Sequence, residues 1–294
     1  MEQNNREFQY SVMNTKFRLE KRATKGGDKY YLVYPVITPK RKTKISRLIK
    51  TGDAPTDAEF ETAVLQYTEE FTKRAAEKYA EFRVEELYFQ YIPPFLGKGL
   101  EKTRYLYNTY VSSLSDDERE DFEELYDAKY IAGTAAIEEI SAASSKLTRN
   151  FRLVKTCRES AVEKVTPEFI REIHSLILME LPEETGVFRE DGNVEARLQM
   201  TLNEYYSRVD AGYCVFEQAV LFLYRFLVIH PFNTANGLVA REIFNFLLEC
   251  DGYPRLVFPA DFAKHYSMAL DFGDKKDYQR MVTLFASISM RQTV

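Results

Sequence analysis

From residue 213 to 229 almost every position is apolar or aromatic, a run too long for a strand and therefore read as a buried helix. A second apolar run, from about Gly237 to Cys250, predicts another buried helix, stopped by Asp251-Gly252-Tyr253-Pro254. Elsewhere the apolar positions are diluted with charge. Thr56 with Glu59 three residues later has the form of a capping box opening a long helix over 56–89, closed by Pro93-Pro94. Helical patterns follow over 100–113 and, after a Ser115 cap with Asp116 and Asp117, to about Tyr130. A further helix is predicted over 133–146. Thr166-Pro167-Glu168 places proline at the first position of a helix carrying Ile170, Ile173, Leu176 and Ile177. Two more helices are predicted over 261–271 and 276–291, whereas 181–199, with Gly186 and Asp191-Gly192-Asn193, reads as a turn-rich hairpin.

The first fifty residues follow a different period. β-rich runs at 16–20 and 29–37 flank Gly26-Gly27-Asp28, a hairpin signal, and a third, basic strand is expected over 40–48. The expected fold is mainly α with a small N-terminal antiparallel β-hairpin or sheet. Three segments result: 1–52, β-rich and basic; 53–130, helical; and 131–294, which holds both buried helices and the helix over 133–146.

Composition narrows the classes. With 45% hydrophobic and 29% charged residues the chain resembles an ordinary soluble globular protein. The longest apolar stretch, 219–229, contains Arg225 and is shorter than the roughly 20 residues a membrane helix needs. The N-terminus lacks the apolar core of a signal peptide, so a cytoplasmic protein without membrane association is expected. Cys157, Cys214 and Cys250 are widely spaced and odd in number, which fits a reducing compartment and gives no zinc pattern. The formal charge of −5 hides an asymmetry: residues 1–50 hold 13 Lys or Arg against 4 Asp or Glu, and the remainder 27 against 41. Lys40-Arg41-Lys42-Thr43-Lys44, near Tyr30, Tyr31 and Tyr34, would suit nucleic-acid phosphates and bases. The plainer reading of the same residues is a solvated basic sheet packing on the acidic remainder.

The chemistry concentrates between the two buried helices, in His230-Pro231-Phe232-Asn233-Thr234-Ala235-Asn236-Gly237-Leu238-Val239-Ala240-Arg241. A helix N-terminus beginning near Gly237 offers unpaired N–H groups and the positive end of a dipole, and Ala235 and Gly237 leave room for a phosphate. Arg241, one turn on, can reach back to the same anion with its forked guanidinium. His230 is the nearby group able to take a proton near neutral pH, and Phe232 would anchor the loop in the core. A lone His-Pro at a helix end is more often structural; the complete spacing argues for function.

That spacing resembles the signature of the Fic family: His-Pro-Phe, a variable residue, Asp or Glu, Gly-Asn-Gly-Arg, two variable residues, Arg. His230, Pro231, Phe232, Asn236, Gly237 and Arg241 match in order. The helix from Thr166 to His174, the Gly186-Val187-Phe188-Arg189 element, Asp251-Gly252-Tyr253-Pro254 and Tyr266-Ser267-Met268-Ala269-Leu270 resemble further family elements, so the likeness covers about 130–294. It implies a Fic-type helical bundle with a β-hairpin flap, in which Gly186, Phe188 and Arg189 border a target-binding site. It implies AMP transfer from ATP to a protein hydroxyl, on a target or on the protein itself. His230 would act as base, and Asn233, Thr234, Ala235, Asn236, Gly237 and Arg241 would hold the phosphates. Thr134-Ala135-Ala136-Ile137-Glu138-Glu139 is similar to the family's inhibitory pattern, in which Glu138 would pair with Arg241 and hold ATP unproductively; its role as an ordinary acidic helix residue stays open.

Two positions depart from the family. Thr234 stands where a carboxylate holds Mg²⁺, so no metal ligand is assigned and any Mg²⁺ is expected to be weakly held. Leu238 stands where an arginine meets the β-phosphate, a contact of a kind worth about 2 to 4 kcal/mol in catalysis. An autoinhibited adenylyltransferase with a signalling role is therefore read beside a degenerate fold that binds a nucleotide or phosphate compound with altered or no transfer. A nucleic-acid regulator acting through residues 1–50 is the third reading, and self-association into a homo-oligomer stays open.

Overall fold

The computed structural model describes residues 17–139, 145–161, 164–179, 185–190, 192–259 and 262–292. Three strands come first, β1 (Arg18–Thr24), β2 (Gly27–Ile37) and β3 (Lys42–Thr51). Ten helices follow among the described residues: α1 (Asp57–Glu86), α2 (Pro94–Val111), α3 (Asp116–Ile137), α4 (Ser145–Ala161), α5 (Pro167–Ile177), α6 (Val194–Asp210), α7 (Val215–Ile229), α8 (Asn236–Cys250), α9 (Ala263–Asp274) and α10 (Tyr278–Arg291). No helix among the described residues is long and apolar enough to cross a membrane. The described residues divide into two units, one within 17–86 and 97–119, the other within 87–96 and 120–292.

In the first unit the strands form one antiparallel sheet in the order β1-β2-β3. The hairpin turn falls at Gly26-Gly27, where Gly27 takes φ +108°, a conformation that costs glycine little. Alternation along β2 sends Leu32, Tyr34 and Val36 to one face, where they pack with Phe17 and with Phe60, Val64, Phe71 and Ala75 of α1. The capping box that opens α1 is present: Glu59 N donates to Thr56 Oγ1 at 3.2 Å and Thr56 N donates to Glu59 Oε2 at 2.7 Å. Acidic residues of α1 meet the basic strands, with Arg47 paired to Glu70 and Lys50 to Glu59, and Arg41 pairs with Glu85.

The second unit is built around α7 and α8, which pack on each other, with α6 and α10 against α7 and α5 against α8. α7 buries most of its length, including Glu217, whose carboxylate accepts backbone N–H bonds from Gln90, Tyr91 and Ile92 at 2.5–2.9 Å. Asn245 of α8 grips the returning chain, accepting from Leu256 N at 2.8 Å and donating to Leu256 O at 3.3 Å.

Several expectations from the sequence need correction. The break expected between Tyr130 and Gly133 does not occur: α3 is continuous to Ile137, so residues 133–137 belong to it rather than to a separate helix. Gly133 marks a close approach instead, since a methyl there would stand 1.8 Å from the Phe258 carbonyl oxygen. Glu138 and Glu139 form the turn after α3, with Glu139 at φ +56°, and residues 140–144 lie outside the described residues. Of the hairpin expected over 181–199, residues 194–199 are the start of α6. Gly192 and Asn193 both take positive φ and deliver the chain into that helix rather than around a hairpin tip. Residues 185–190 are extended or bent, without strand pairing, and 180–184 and 191 lie outside the described residues. Pro94 opens α2 rather than only closing α1, as proline at a first helical position does.

Candidate functional site

α7 ends on His230, whose φ of 52° and ψ of 62° put a non-glycine residue in the left-handed region. Five residues later Ala235 repeats this, at φ 57°, immediately before α8. Two such residues in one short loop hold it in a sharply folded path at a cost of order 1 kcal/mol or more each. Three contacts keep it there. Phe232 is fully buried and stacks on the His174 ring, centroids 3.8 Å apart and planes 13° from parallel. Asn236, at the start of α8, closes the loop on itself: its Oδ1 accepts from Phe232 N at 2.9 Å and its Nδ2 donates to Phe232 O at 2.7 Å. The same Nδ2 lies 3.3–3.4 Å from the His230 ring nitrogens, which sets His230, exposed at the loop rim, beside the helix start.

His174, a polar residue on the otherwise apolar buried face of α5, is the third. Gly186 N donates to its Nδ1 at 2.9 Å; a backbone N–H can only donate, so Nδ1 is the acceptor and Nε2 carries the proton, facing Thr234 O at 3.4 Å. Burial pushes its pKa below the ordinary histidine value, with the bond to Thr234 acting the other way. His174 thus joins the Gly186 segment to the loop. Arg189 N adds a backbone bond to Pro231 O at 2.9 Å, and the Phe188 ring lies 5.1 Å from that of Phe232. The three residues Gly186, Phe188 and Arg189 therefore border the His230 loop. Gly186 takes φ +72°, and a side chain there would meet Ser175 Oγ at 2.2 Å.

Across the start of α8 lies the guanidinium of Arg241, completely buried. Its Nε donates to Thr134 Oγ1 at 2.5 Å, and its Nη2 to Thr134 O at 3.3 Å and to Glu138 Oε1 at 2.8 Å. Its Nη1 is buried without a hydrogen-bond partner among the described residues. Both Nη1 and Glu138 point at Gly237: a methyl on that residue would stand 2.0 Å from Glu138 Oε1 and 3.2 Å from Arg241 Nη1. Gly237 leaves room for the carboxylate that rests against its backbone. The first amides of α8 have no partner within the helix, so the same spot suits an anion. Glu138 supplies one from within the chain.

Thr234 and Asn233 are exposed on the loop, and Leu238 is buried in the core. Among the described residues no cluster of three or more acidic, histidine or cysteine side chains could hold a metal ion. The nearby carboxylate, Glu138, is already bound to Arg241. A hydroxyl at 234 with carbonyl oxygens is a poor donor set for Mg²⁺, so these residues do not fit a tightly held divalent ion.

The loop, Arg241 and Glu138 were all expected from the sequence. The roles of His174 and Thr134 were not. His174 could have been singled out as a polar residue inside the apolar stripe of Ile170, Ile173 and Ile177, and Thr134 as the first residue of the Glu138 pattern.

Comparison with known proteins gives this geometry its relatives. The Fic/DOC family profile matches residues 164–248. Protein adenylyltransferase fic-1 of Caenorhabditis elegans and that of Caenorhabditis briggsae are each 26% identical over 81 residues, covering 26% of this chain and 16% of the relative. Among solved structures, a Glu-to-Gly variant fragment of Fic-1 from C. elegans aligns with a TM-score of 0.58 at 17% identity, over 81% of this chain and 86% of that one. A Fic domain containing signaling protein from Bacteroides thetaiotaomicron aligns with a TM-score of 0.56 at 18% identity, over 65% and 93%. A Fic family protein from Desulfovibrio desulfuricans aligns at 0.53 and 16%, over 68% and 74%. The chain carries a Fic/DOC family domain at residues 164–248, set in the fold of Fic domain proteins.

Proposed function

We propose that this protein transfers AMP from ATP to a protein hydroxyl and that Glu138 restrains the reaction. The observation that carries the reading is the buried Arg241 guanidinium at the start of α8, bound on one side by Glu138 and left with Nη1 unsatisfied. A buried cation with an open donor at a helix N-terminus suits a phosphate. Glu138 Oε1, resting on Gly237, takes part of the space and part of the charge that the phosphate would use.

In the proposed reaction His230 takes the proton of the target hydroxyl. The oxygen then forms a bond to the α-phosphorus, the bond from that phosphorus to the bridging oxygen breaks, and diphosphate leaves. The α8 amides stabilise charge on the α-phosphate, and Arg241 does so on the departing phosphates once Glu138 releases it. The Gly186–Arg189 segment, bonded to the loop through Arg189 N and His174, would line the approach of the target. The adenylyltransferase name of the C. elegans and C. briggsae relatives supports the same chemistry.

Thr234 and Leu238 favour a second reading, a site that binds a nucleotide or phosphate compound without AMP transfer: the first offers no carboxylate and the second is turned into the core. Incubation with ATP labelled at the α-phosphate separates the two. Protein-bound label that appears with Glu138→Gly and disappears when His230→Ala is added supports AMP transfer. Retention of ATP by Glu138→Gly with no label on itself or on lysate proteins supports the second reading.

A further inference from the structure

Two buried polar atoms in the neighbourhood of the Arg241 guanidinium have no hydrogen-bond partner among the described residues: Arg241 Nη1 and the hydroxyl of Tyr266. Tyr266 stands near the start of α9 and is 5% exposed. Its ring is fixed by edge-on packing against Phe258, centroids 5.2 Å apart, and by Phe285 at 6.1 Å. The guanidinium carbon of Arg241 lies 5.4 Å from the centre of the Tyr266 ring. Burial pushes the Tyr266 pKa up, and the charge of Arg241 acts the other way. The hydroxyl therefore keeps its proton near neutral pH, as a neutral donor beside a buried cation. Unmatched buried donors destabilise a fold, so native structures keep few of them. Phenylalanine at 266 would fill the same space between Phe258 and Phe285, so packing gives no reason for the hydroxyl. The rest of the Arg241 fork is occupied, by the Thr134 hydroxyl and carbonyl and by Glu138. Nη1 faces Gly237, 3.2 Å from where a methyl on that residue would stand.

We propose that Tyr266 is a further phosphate-binding residue, whose hydroxyl donates, together with Arg241 Nη1, to a terminal phosphate of the nucleotide once Glu138 withdraws. The inference rests on the nucleotide site proposed above and adds a residue to it. The chemistry of the two atoms selects the ligand. Nη1 can only donate, and a hydroxyl can turn its proton towards an acceptor, so together they suit an oxygen with several lone pairs. Withdrawal of Glu138 leaves a buried, unpaired guanidinium, which demands an anion in place of the carboxylate. Phosphate meets both conditions. In the proposed reaction Arg241 serves the departing phosphates, so Tyr266 acts at that end of the nucleotide and favours a triphosphate over a monophosphate. The stability lost to an unmatched hydroxyl in the empty site is the kind of cost that binding sites carry.

The test is calorimetric titration of the full chain carrying Glu138→Gly with ATP and with AMP, before and after adding Tyr266→Phe, which removes the hydroxyl and keeps the ring. A hydrogen bond to a charged group is lost, so ATP should bind about tenfold more weakly or worse, and AMP should change by less than about twofold. Tyr205→Phe, the same change on a buried ring of α6, should leave both affinities within about twofold. Without nucleotide, Tyr266→Phe should melt at the same temperature or higher, because an unmatched buried donor has gone. A purely structural hydroxyl predicts the reverse, a lower melting temperature with the ratio of ATP to AMP affinity unmoved. The proposal is overturned if ATP affinity changes by less than about threefold, or if ATP and AMP weaken equally. It is equally overturned if Tyr205→Phe weakens ATP as much as Tyr266→Phe does, or if Tyr266→Phe lowers the melting temperature by more than about 2 °C. Failure of Glu138→Gly to bind ATP overturns it together with the nucleotide site. Binding of ATP that depends on Tyr266, with no AMP transferred, overturns the transfer alone and leaves the role of Tyr266 standing.

Discussion

Replacing Glu138 by alanine should lower the melting temperature while raising the response to nucleotide. Arg241 is completely buried, and breaking a buried pair by removing one partner costs about 3 to 5 kcal/mol. Two features reduce that figure here. The Glu138 side chain is 28% exposed, and Arg241 keeps its bonds to the Thr134 hydroxyl and carbonyl. A loss of about 2 to 3 kcal/mol is expected, or about 4 to 12 °C at about 2 to 4 °C per kcal/mol for a unit of this size. A ligand at a hundred times its dissociation constant returns about 2.7 kcal/mol. If phosphate takes the place of the carboxylate beside Gly237 and Arg241, as proposed, saturating ATP should restore most of the loss in Glu138→Ala. The assay is differential scanning fluorimetry of wild type and variant with and without ATP. A fall below about 1 °C in the apo variant, or an equal ATP-dependent rise in wild type and variant, would refute the pairing and its competition with phosphate.

Gly133→Ala should cost about 3 kcal/mol or more, since the new methyl meets a backbone oxygen at 1.8 Å rather than a side chain that can turn away; an unchanged melting temperature would contradict that close approach. Ala235→Gly relieves a left-handed alanine but loosens the unfolded chain, for a net gain of about 0 to 1 kcal/mol, so a fall of more than about 2 °C in melting temperature would show that the loop does not need positive φ there. His174 binds Gly186 N as a neutral ring, and burial depresses its pKa, so its contribution is full above about pH 6.5 and is lost as pH falls towards its lowered value. The melting-temperature gap between wild type and His174→Gln should narrow as pH drops below 6.5; a constant gap from pH 8 to 5 would rule this out.

The elements most legible in the sequence were those whose signal is local and repeated. α7 and α8 announced themselves as long apolar runs, and Thr56, Ser115 and Thr166 each marked a helix start with a cap that the structure realises. The loop was legible because its residues lie within twelve consecutive positions. What escaped were helices whose apolar stripe is thin: α4 carries Leu147, Phe151 and Val154 among charged residues, and α6 carries Val194, Leu198, Leu202 and Tyr205. Gly133 misled because glycine usually signals a break, whereas here it answers a demand from Phe258, far along the chain. The bonds of Thr134 to Arg241 and of His174 to Gly186 and Thr234 join distant segments, and spacing within one segment could not reveal them.

The most direct test of the proposed chemistry is the intact mass of the Glu138→Gly protein after incubation with ATP, compared with the Glu138→Gly, His230→Ala double variant. The arrangement of His230, the α8 N-terminus and a released Arg241 predicts a gain of one or more adenylyl groups on the first protein, on a Ser, Thr or Tyr, and none on the second. The same gain in both proteins would contradict His230 as the base. No gain in either, on the protein itself or on any protein of a lysate supplied as acceptor, would contradict AMP transfer itself.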